Sequence, residues 1–347
     1  MAKEEINSLE LGGLEEIVLA LGEKKFRAQQ IYEWVHKKQI DNFNDMTNVS
    51  KRLIEKLDEK YCFTHIKMEK KLYSEVDNTI KYLFRVNGNT IIESVLMRYS
   101  FGNSVCISSQ AGCRMACTFC ASAIGGLERD LTAGEMLGQV YSIQKDIGER
   151  VSNVVIMGSG EPLDNYDNTL KFIRVLASKL GQNLGMRHIT LSTCGLIDKI
   201  NKLMSEGLPI NLAVSLHAPN GGVREKLMPA SKKAPYDDLL RACKKYTERT
   251  GRRVTYEYAL ISGINDKQGH ALELAGKIGG SVCHVNLIPI NYVEERGFRP
   301  ASEGTIYSFA DILKKNGVEV TIRRKLGSDI NAACGQLRKS YSNRNGL

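Results

Sequence analysis

From about residue 103 the chain alternates short apolar runs with longer amphipathic ones, and this alternation limits the fold more than any other feature. Strands are predicted at 104–109, 153–158, 187–192, 210–216, 253–261, 284–290 and 318–324. Helices are predicted at about 132–148, 167–180, 195–206, 235–250, 267–278 and 303–315. The first helix opens with Thr132-Ala133-Gly134-Glu135, a spacing that lets hydroxyl and carboxylate satisfy free N–H groups of the first turn. Strand–helix–strand units join parallel strands by right-handed crossovers. Six of them predict an α/β fold, a partial (βα)6 barrel, with its active site at the C-terminal ends of the strands.

Residues 1–98 read differently. Leu11, Leu14, Ile17, Val18 and Leu21 recur at helical spacing, and Ala28–His36 and Lys51–Leu57 share that character. Thr79–Val86 and Thr90–Met97 read as strands about an Asn87-Gly88 hairpin turn. The expected organisation is an N-terminal helical accessory module with a β connector (1–98), the barrel with a C-terminal segment (99–338), and a polar tail (339–347).

The barrel's first strand, Ser104–Ser108, leads into Cys113, Cys117 and Cys120 at C-x3-C-x2-C spacing, between Gly112 and Gly125-Gly126. Three thiolates suit an iron–sulfur cluster with one iron left open. The same spacing fits the buried face of a helix, where free Cys behaves as a small hydrophobe, or zinc with a distant fourth ligand. Flanking glycines favour a loop over a helix interior. Nine cysteines in a chain of 347 residues, an odd number without a secretory leader, argue against a disulfide framework. Cys62, Cys194, Cys243 and Cys283 read as buried or incidental.

Polar residues cluster where the predicted strands end: Gly158-Ser159-Gly160-Glu161-Pro162, Ser192-Thr193, Ser215-Leu216-His217 and Asn291. Each could cap a following helix. Together they offer carboxylate, hydroxyl and amide groups to one ligand. Ala332-Ala333-Cys334-Gly335 follows the last strand and could fold over the barrel mouth, as a reactive thiol or a buried inert one. A net charge of +9 favours a polyanionic partner, nucleic acid above all, although a merely basic enzyme would carry it too. No apolar run approaches the ~20 residues of a membrane span. The N-terminus, Met1–Ser8, is neither a signal nor a basic transit sequence, so a cytoplasmic location is expected.

The cysteine spacing, with Phe119 before the last cysteine, resembles the radical S-adenosylmethionine (radical SAM) superfamily. The wider set of motifs resembles the RlmN family of dual-specificity RNA methyltransferases. It comprises Cys106–Cys113, Gly160-Glu161-Pro162-Leu163, Leu191-Ser192-Thr193, Ser215–Asn220, His284–Pro289 and Asp329–Leu337. The resemblance implies methylation of C2 of adenosine 2503 in 23S rRNA and of adenosine 37 in some tRNAs. It implies one 4Fe–4S cluster on Cys113, Cys117 and Cys120, with SAM on the open iron. The SAM contacts it implies are Gly160, Glu161, Ser192, Ser215, Leu216, His217 and Asn291. By the same resemblance Cys334 is methylated by one SAM, and a radical from a second SAM activates that methyl group for addition to the base. Cys106 then releases the product as a Cys106–Cys334 disulfide forms, and Glu93 is the proton acceptor. The implied partners are 23S rRNA, tRNA and an electron donor such as flavodoxin or ferredoxin, with no membrane and a monomeric chain. Because a thiolate must attack SAM, a depressed Cys334 pKa is expected. Ser159 stands where methionine is usual in the family. The related Cfr type, which methylates C8 of the same adenosine, shares the cluster and both cysteines. Here Gly160–Leu163 and His217–Asn220 look more like the C2 enzyme.

Overall fold

The computed structural model describes residues 3–337, so the tail predicted at 339–347 lies outside the described residues. Among the described residues, ten strands form one sheet. Seven of them, Gly102–Cys106, Val151–Ile156, Ile189–Thr193, Asn211–Ser215, Val254–Leu260, Cys283–Pro289 and Glu319–Ile322, run parallel in chain order. The helices Ala133–Ile147, Tyr166–Ala177, Ile197–Leu203, Tyr236–Thr250, Gln268–Ile278 and Glu303–Lys315 connect them. This is the predicted strand–helix alternation of a partial barrel. Its strands carry Val154, Ile156, Leu191, Val214, Tyr258 and Leu287, all almost wholly buried. Burial on that scale is what a sheet covered on one face by helices requires.

The Ala133–Ile147 helix starts as its sequence dictates. Thr132 Oγ1 accepts from the Glu135 N–H at 3.1 Å, and Glu135 Oε2 accepts from the Thr132 N–H at 3.0 Å. A short helix at Gly221–Leu227 was not predicted, because it opens on two glycines, the poorest non-proline helix formers. Asn220 starts it, with Oδ1 accepting from the Val223 N–H at 3.0 Å. Asn220 thus takes the helix-capping role.

Three further strands, Lys67–Tyr73, Ile80–Arg85 and Ile91–Tyr99, extend the sheet antiparallel beyond Gly102–Cys106. The hairpin turn falls at Asn87-Gly88, with Gly88 in the left-handed region at φ +76°. The Lys67–Tyr73 edge strand escaped sequence reading because its Lys-rich run lacks an apolar face. In register, Lys81 lies opposite Val95, Leu83 opposite Glu93, and Val95 opposite Cys106. Lys81, Glu93, Val95 and Met97 therefore share one sheet face.

The helices Leu11–Ala20, Phe26–His36 and Lys51–Lys60 bury Leu14, Val18, Ile31, Val35, Leu53 and Leu57. They dock on the first barrel helix: Ser8 Oγ accepts from the Gly134 N–H at 2.8 Å, and His36 Nδ1 lies 3.1 Å from the Tyr141 hydroxyl. Gly134 is required there, since a Cβ would stand 2.2 Å from Thr64 Oγ1.

Candidate active site

The segment carrying Cys113, Cys117 and Cys120 is a loop, not a helix, which removes the helix-face reading. Ala116 turns it through the left-handed region at φ +56°. The Cys113 N–H donates to Gly126 O at 3.1 Å, and the Thr118 N–H donates to Leu227 O at 2.9 Å. Arg114 forks onto Asp164 at 2.8 and 2.6 Å. All three cysteines line one cavity of about 980 Å³, counting the solvent at its mouth. Among the described residues no three His, Cys, Asp or Glu side chains close on one point as a single zinc ion would need.

The opposite wall comes from the strand ends. Gly160, Glu161, Ser192, Ser215, His217 and Asn291 all line this cavity. Leu216 does not: its side chain is buried in the core and its N–H donates to Glu257 O at 3.0 Å. Glu161 is fixed from both oxygens, Oε1 accepting from the Leu163 N–H at 3.0 Å and Oε2 from the Cys194 N–H at 2.6 Å. Burial raises its pKa against these hydrogen bonds. His217 sits at φ +54° with Nδ1 accepting from the Ala259 N–H at 2.9 Å, which puts its ring proton on Nε2. Burial, with Arg224 nearby, lowers its pKa to about 3, so the ring is neutral. Phe119 meets that ring edge-on, centroids 5.0 Å apart. Gly160, at φ +108°, leaves no room for a Cβ, which would lie 2.6 Å from Gln110 Cβ.

Cys334 lines this cavity and also a second one that contains Cys106. Met157, Ile288, Asn291 and Arg323 are common to both, so the two spaces adjoin. The Cys334 loop is tied to the cluster loop, with the Ala121 N–H donating to Gly335 O at 2.7 Å. Asn291 Nδ2 donates to Cys334 O at 3.2 Å. Cys106 packs against Val95, Met97, Ala332 and Leu337. Burial pushes its thiol up to about 12, and the nearby Cys334 adds to the rise. Glu93 lies outside both cavity linings, on the same sheet face as Val95, in a salt bridge with Lys81 at 2.8 Å.

The depressed Cys334 pKa expected above is corrected by the structure. Burial raises it, and Arg323 only partly offsets the rise, while Glu257 and Cys120 add to it. Sequence reading also passed over Cys194, which lines the main cavity with no motif to mark it. It passed over Arg323 too, which lines both cavities and is one of three consecutive basic residues, Arg323-Arg324-Lys325.

The Radical SAM superfamily model matches residues 107–275, and the model described as the ribosomal RNA large subunit methyltransferase N-terminal domain matches residues 5–63. A probable dual-specificity RNA methyltransferase RlmN of Alkaliphilus oremlandii is 52% identical over 98% of this chain and 99% of its own length. The chain belongs to the RlmN family. A second such RlmN, from Lachnoclostridium phytofermentans, is also 52% identical, over 99% of this chain and 96% of its own. The crystal structure of a radical SAM methyltransferase from Sphaerobacter thermophilus superposes with a TM-score of 0.91 at 41% identity, covering 97% of this chain and 99% of that one. An RlmN-family radical SAM enzyme implies a 4Fe–4S cluster and SAM. The residues present fit both. Three thiols in a glycine-framed loop are a suitable soft donor set. Gly160 and the buried Glu161 carboxylate line the same cavity, and a carboxylate there can accept from the amino group of an amino acid head.

Proposed function

We propose that this chain methylates C2 of adenine in RNA, at adenosine 2503 of 23S rRNA and adenosine 37 of tRNAs, with Cys334 as methyl carrier. In this reading Cys113, Cys117 and Cys120 hold the cluster, and Glu161, Ser192, Ser215, His217 and Asn291 with the Gly160 backbone hold SAM. The observation that carries it is the shared lining of Cys334, which opens both onto the cluster-loop cavity and onto the cavity of Cys106.

The C2–H of adenine is neither acidic nor nucleophilic, so direct transfer of a methyl cation fails there. A nucleophilic thiolate has no such difficulty. Cys334 takes the methyl group of SAM as its S–C bond forms and the sulfonium S–C bond breaks. A cluster held by Cys113, Cys117 and Cys120 would supply one electron, drawn from a flavodoxin- or ferredoxin-type donor, and with SAM held beside Glu161 it would supply the radical chemistry that removes one hydrogen atom from the Cys334 S-methyl group. Cys334 then delivers its methylene carbon to C2. The adduct gives up one electron, for which the oxidised cluster would be the acceptor, and loses the C2 proton to Glu93. Attack by Cys106 on the Cys334 sulfur forms the disulfide, and the freed carbon takes up a proton to become the methyl group. The main cavity's apolar walls, including Met115, Phe119, Ile156 and Ile290, keep water away from the reactive carbon.

The test is mass spectrometry of nucleosides from protein-free ribosomal RNA and tRNA, incubated with reduced, cluster-loaded protein and SAM. 2-Methyladenosine is the expected product. 8-Methyladenosine would keep the chemistry and move the protein to the Cfr type. SAM cleavage without any methylated adenosine would overturn the RNA assignment.

A further inference from the structure

We propose that Lys81 is a positioning residue, locking the Glu93 carboxylate to the loop that carries Cys334. The inference rests on the reading of Glu93 as proton acceptor and assigns a residue that sets its place. Lys81 Nζ lies 2.8 Å from Glu93 Oε1, and the two side chains are only 6% and 3% exposed. The same ammonium group donates to the Asn331 carbonyl at 3.1 Å. Asn331 is in the left-handed region at φ +51°, in the turn just before Cys334.

Two physical arguments give this arrangement a purpose beyond stability. A buried ion pair is a poor stabiliser, because desolvating both charges offsets most of their attraction and apolar residues of similar size often do as well. Here the alternative stands on the same face: Val95 and Met97 pack against Cys106, Ala332 and Leu337. A charged pair in that setting is costly unless its geometry is used. The Lys81 ammonium group also makes a second contact, to the Asn331 carbonyl. Lysine has three donors. One is directed at the carboxylate on the adjacent strand and another at the far end of the chain, so a single cation fixes the distance between Glu93 and the Cys334 turn. A general base must come within about 3 Å of the proton it takes, and a misplacement near 1 Å can cost a hundredfold.

The Cys334 loop has other anchors. The Ala332 N–H donates to Gly327 O at 2.9 Å, and Ser122 Oγ donates to Leu337 O at 2.7 Å. With the Gly335 and Asn291 bonds these hold the thiol when Lys81 is removed. The two half-reactions should therefore respond differently. Methyl transfer from SAM to Cys334 does not use Glu93. Removal of the C2 proton does, with a carboxylate oxygen forming the O–H bond and the C–H pair returning to the ring.

The experiment compares wild type, Lys81→Met, Lys81→Arg, Glu93→Gln and the Lys81→Met/Glu93→Gln double variant, all cluster-loaded. Peptide mass spectrometry reads Cys334 methylation, and steady-state assays with protein-free ribosomal RNA read kcat and KM. Lys81→Met should keep Cys334 methylation within about threefold and lower kcat on RNA about a hundredfold, with KM little changed. Lys81→Arg should recover most of kcat, and the double variant should be no slower than Glu93→Gln alone. The proposal is overturned if Lys81→Met methylates RNA as wild type does. Equal loss of both half-reactions with no rescue by arginine, or a further fall in the double variant, overturns it too. A wild-type control that cleaves SAM and methylates Cys334 but transfers nothing to RNA overturns the underlying reading of the site, and the proposal with it.

Discussion

Cys106 and Cys334 open onto one cavity although Cys106 ends the first parallel strand and Cys334 follows the last. Curling of the parallel strands brings the ends of the first and the last of them to one cavity, and the two thiols are close enough for Cys334 to raise the Cys106 pKa. Cys106→Ala should leave methyl transfer to Cys334 intact and halt the reaction with RNA bound covalently to that residue. A denaturing gel followed by peptide mass spectrometry would reveal the adduct. Free methylated RNA released at the wild-type rate would rule out Cys106 as the releasing thiol.

Arg323 lines both cavities and acts electrostatically on both thiols. It lowers the pKa of each against the dominant effect of burial. Removing a cation disfavours a thiolate, so Arg323→Met should move the pH dependence of Cys334 methylation upward. At neutral pH the rate should fall about tenfold for every pH unit that the profile moves. The initial rate of peptide methylation between pH 6 and 9 measures it, and an unmoved profile would assign Arg323 to packing alone.

His36 joins the N-terminal helices to the barrel through Tyr141, and burial lowers its pKa from 6.5 to about 3. Below pH 6.5 the unfolded chain binds this proton and the folded chain does not. Its contribution to stability is therefore whole above that pH and is lost as pH falls toward about 3, by about 2 kcal/mol at pH 5. His217 shifts the same way. Urea unfolding at pH 7 and pH 5 should show the loss, and His36→Gln, which keeps a hydrogen-bonding group for Tyr141, should remove its share. An unchanged pH slope in His36→Gln would place the acid sensitivity elsewhere.

The barrel was legible because each parallel strand is an apolar run and each crossover an amphipathic one, and the Thr132–Glu135 pattern marked a helix start. The cluster loop was legible from its cysteine spacing and glycines. Properties that depend on partners distant in sequence were not. In Arg323-Arg324-Lys325 only the first residue lines the main cavity, while the other two are exposed at the second, and a run of three basic residues carries no mark of that difference. Glu93 was marked only by the resemblance and Lys81 only as part of a predicted strand, and their pairing follows from strand register together with a loop folded over them from the C-terminus. Cys334 was expected to ionise easily, since sequence displays its reactivity but not the burial that opposes it.

Methyl-deuterated SAM tests the central claim, that the new carbon passes through Cys334, most directly. The enzyme, freed of prior Cys334 methylation, would be incubated with SAM bearing a CD3 group and unlabelled RNA, and the methylated adenosine analysed by mass spectrometry. A carrier thiol whose methyl group loses one hydrogen to the radical predicts a product with two deuterium atoms, and 5′-deoxyadenosine with the third. Three deuterium atoms in the product would mean intact methyl transfer, and would contradict the role given to Cys334.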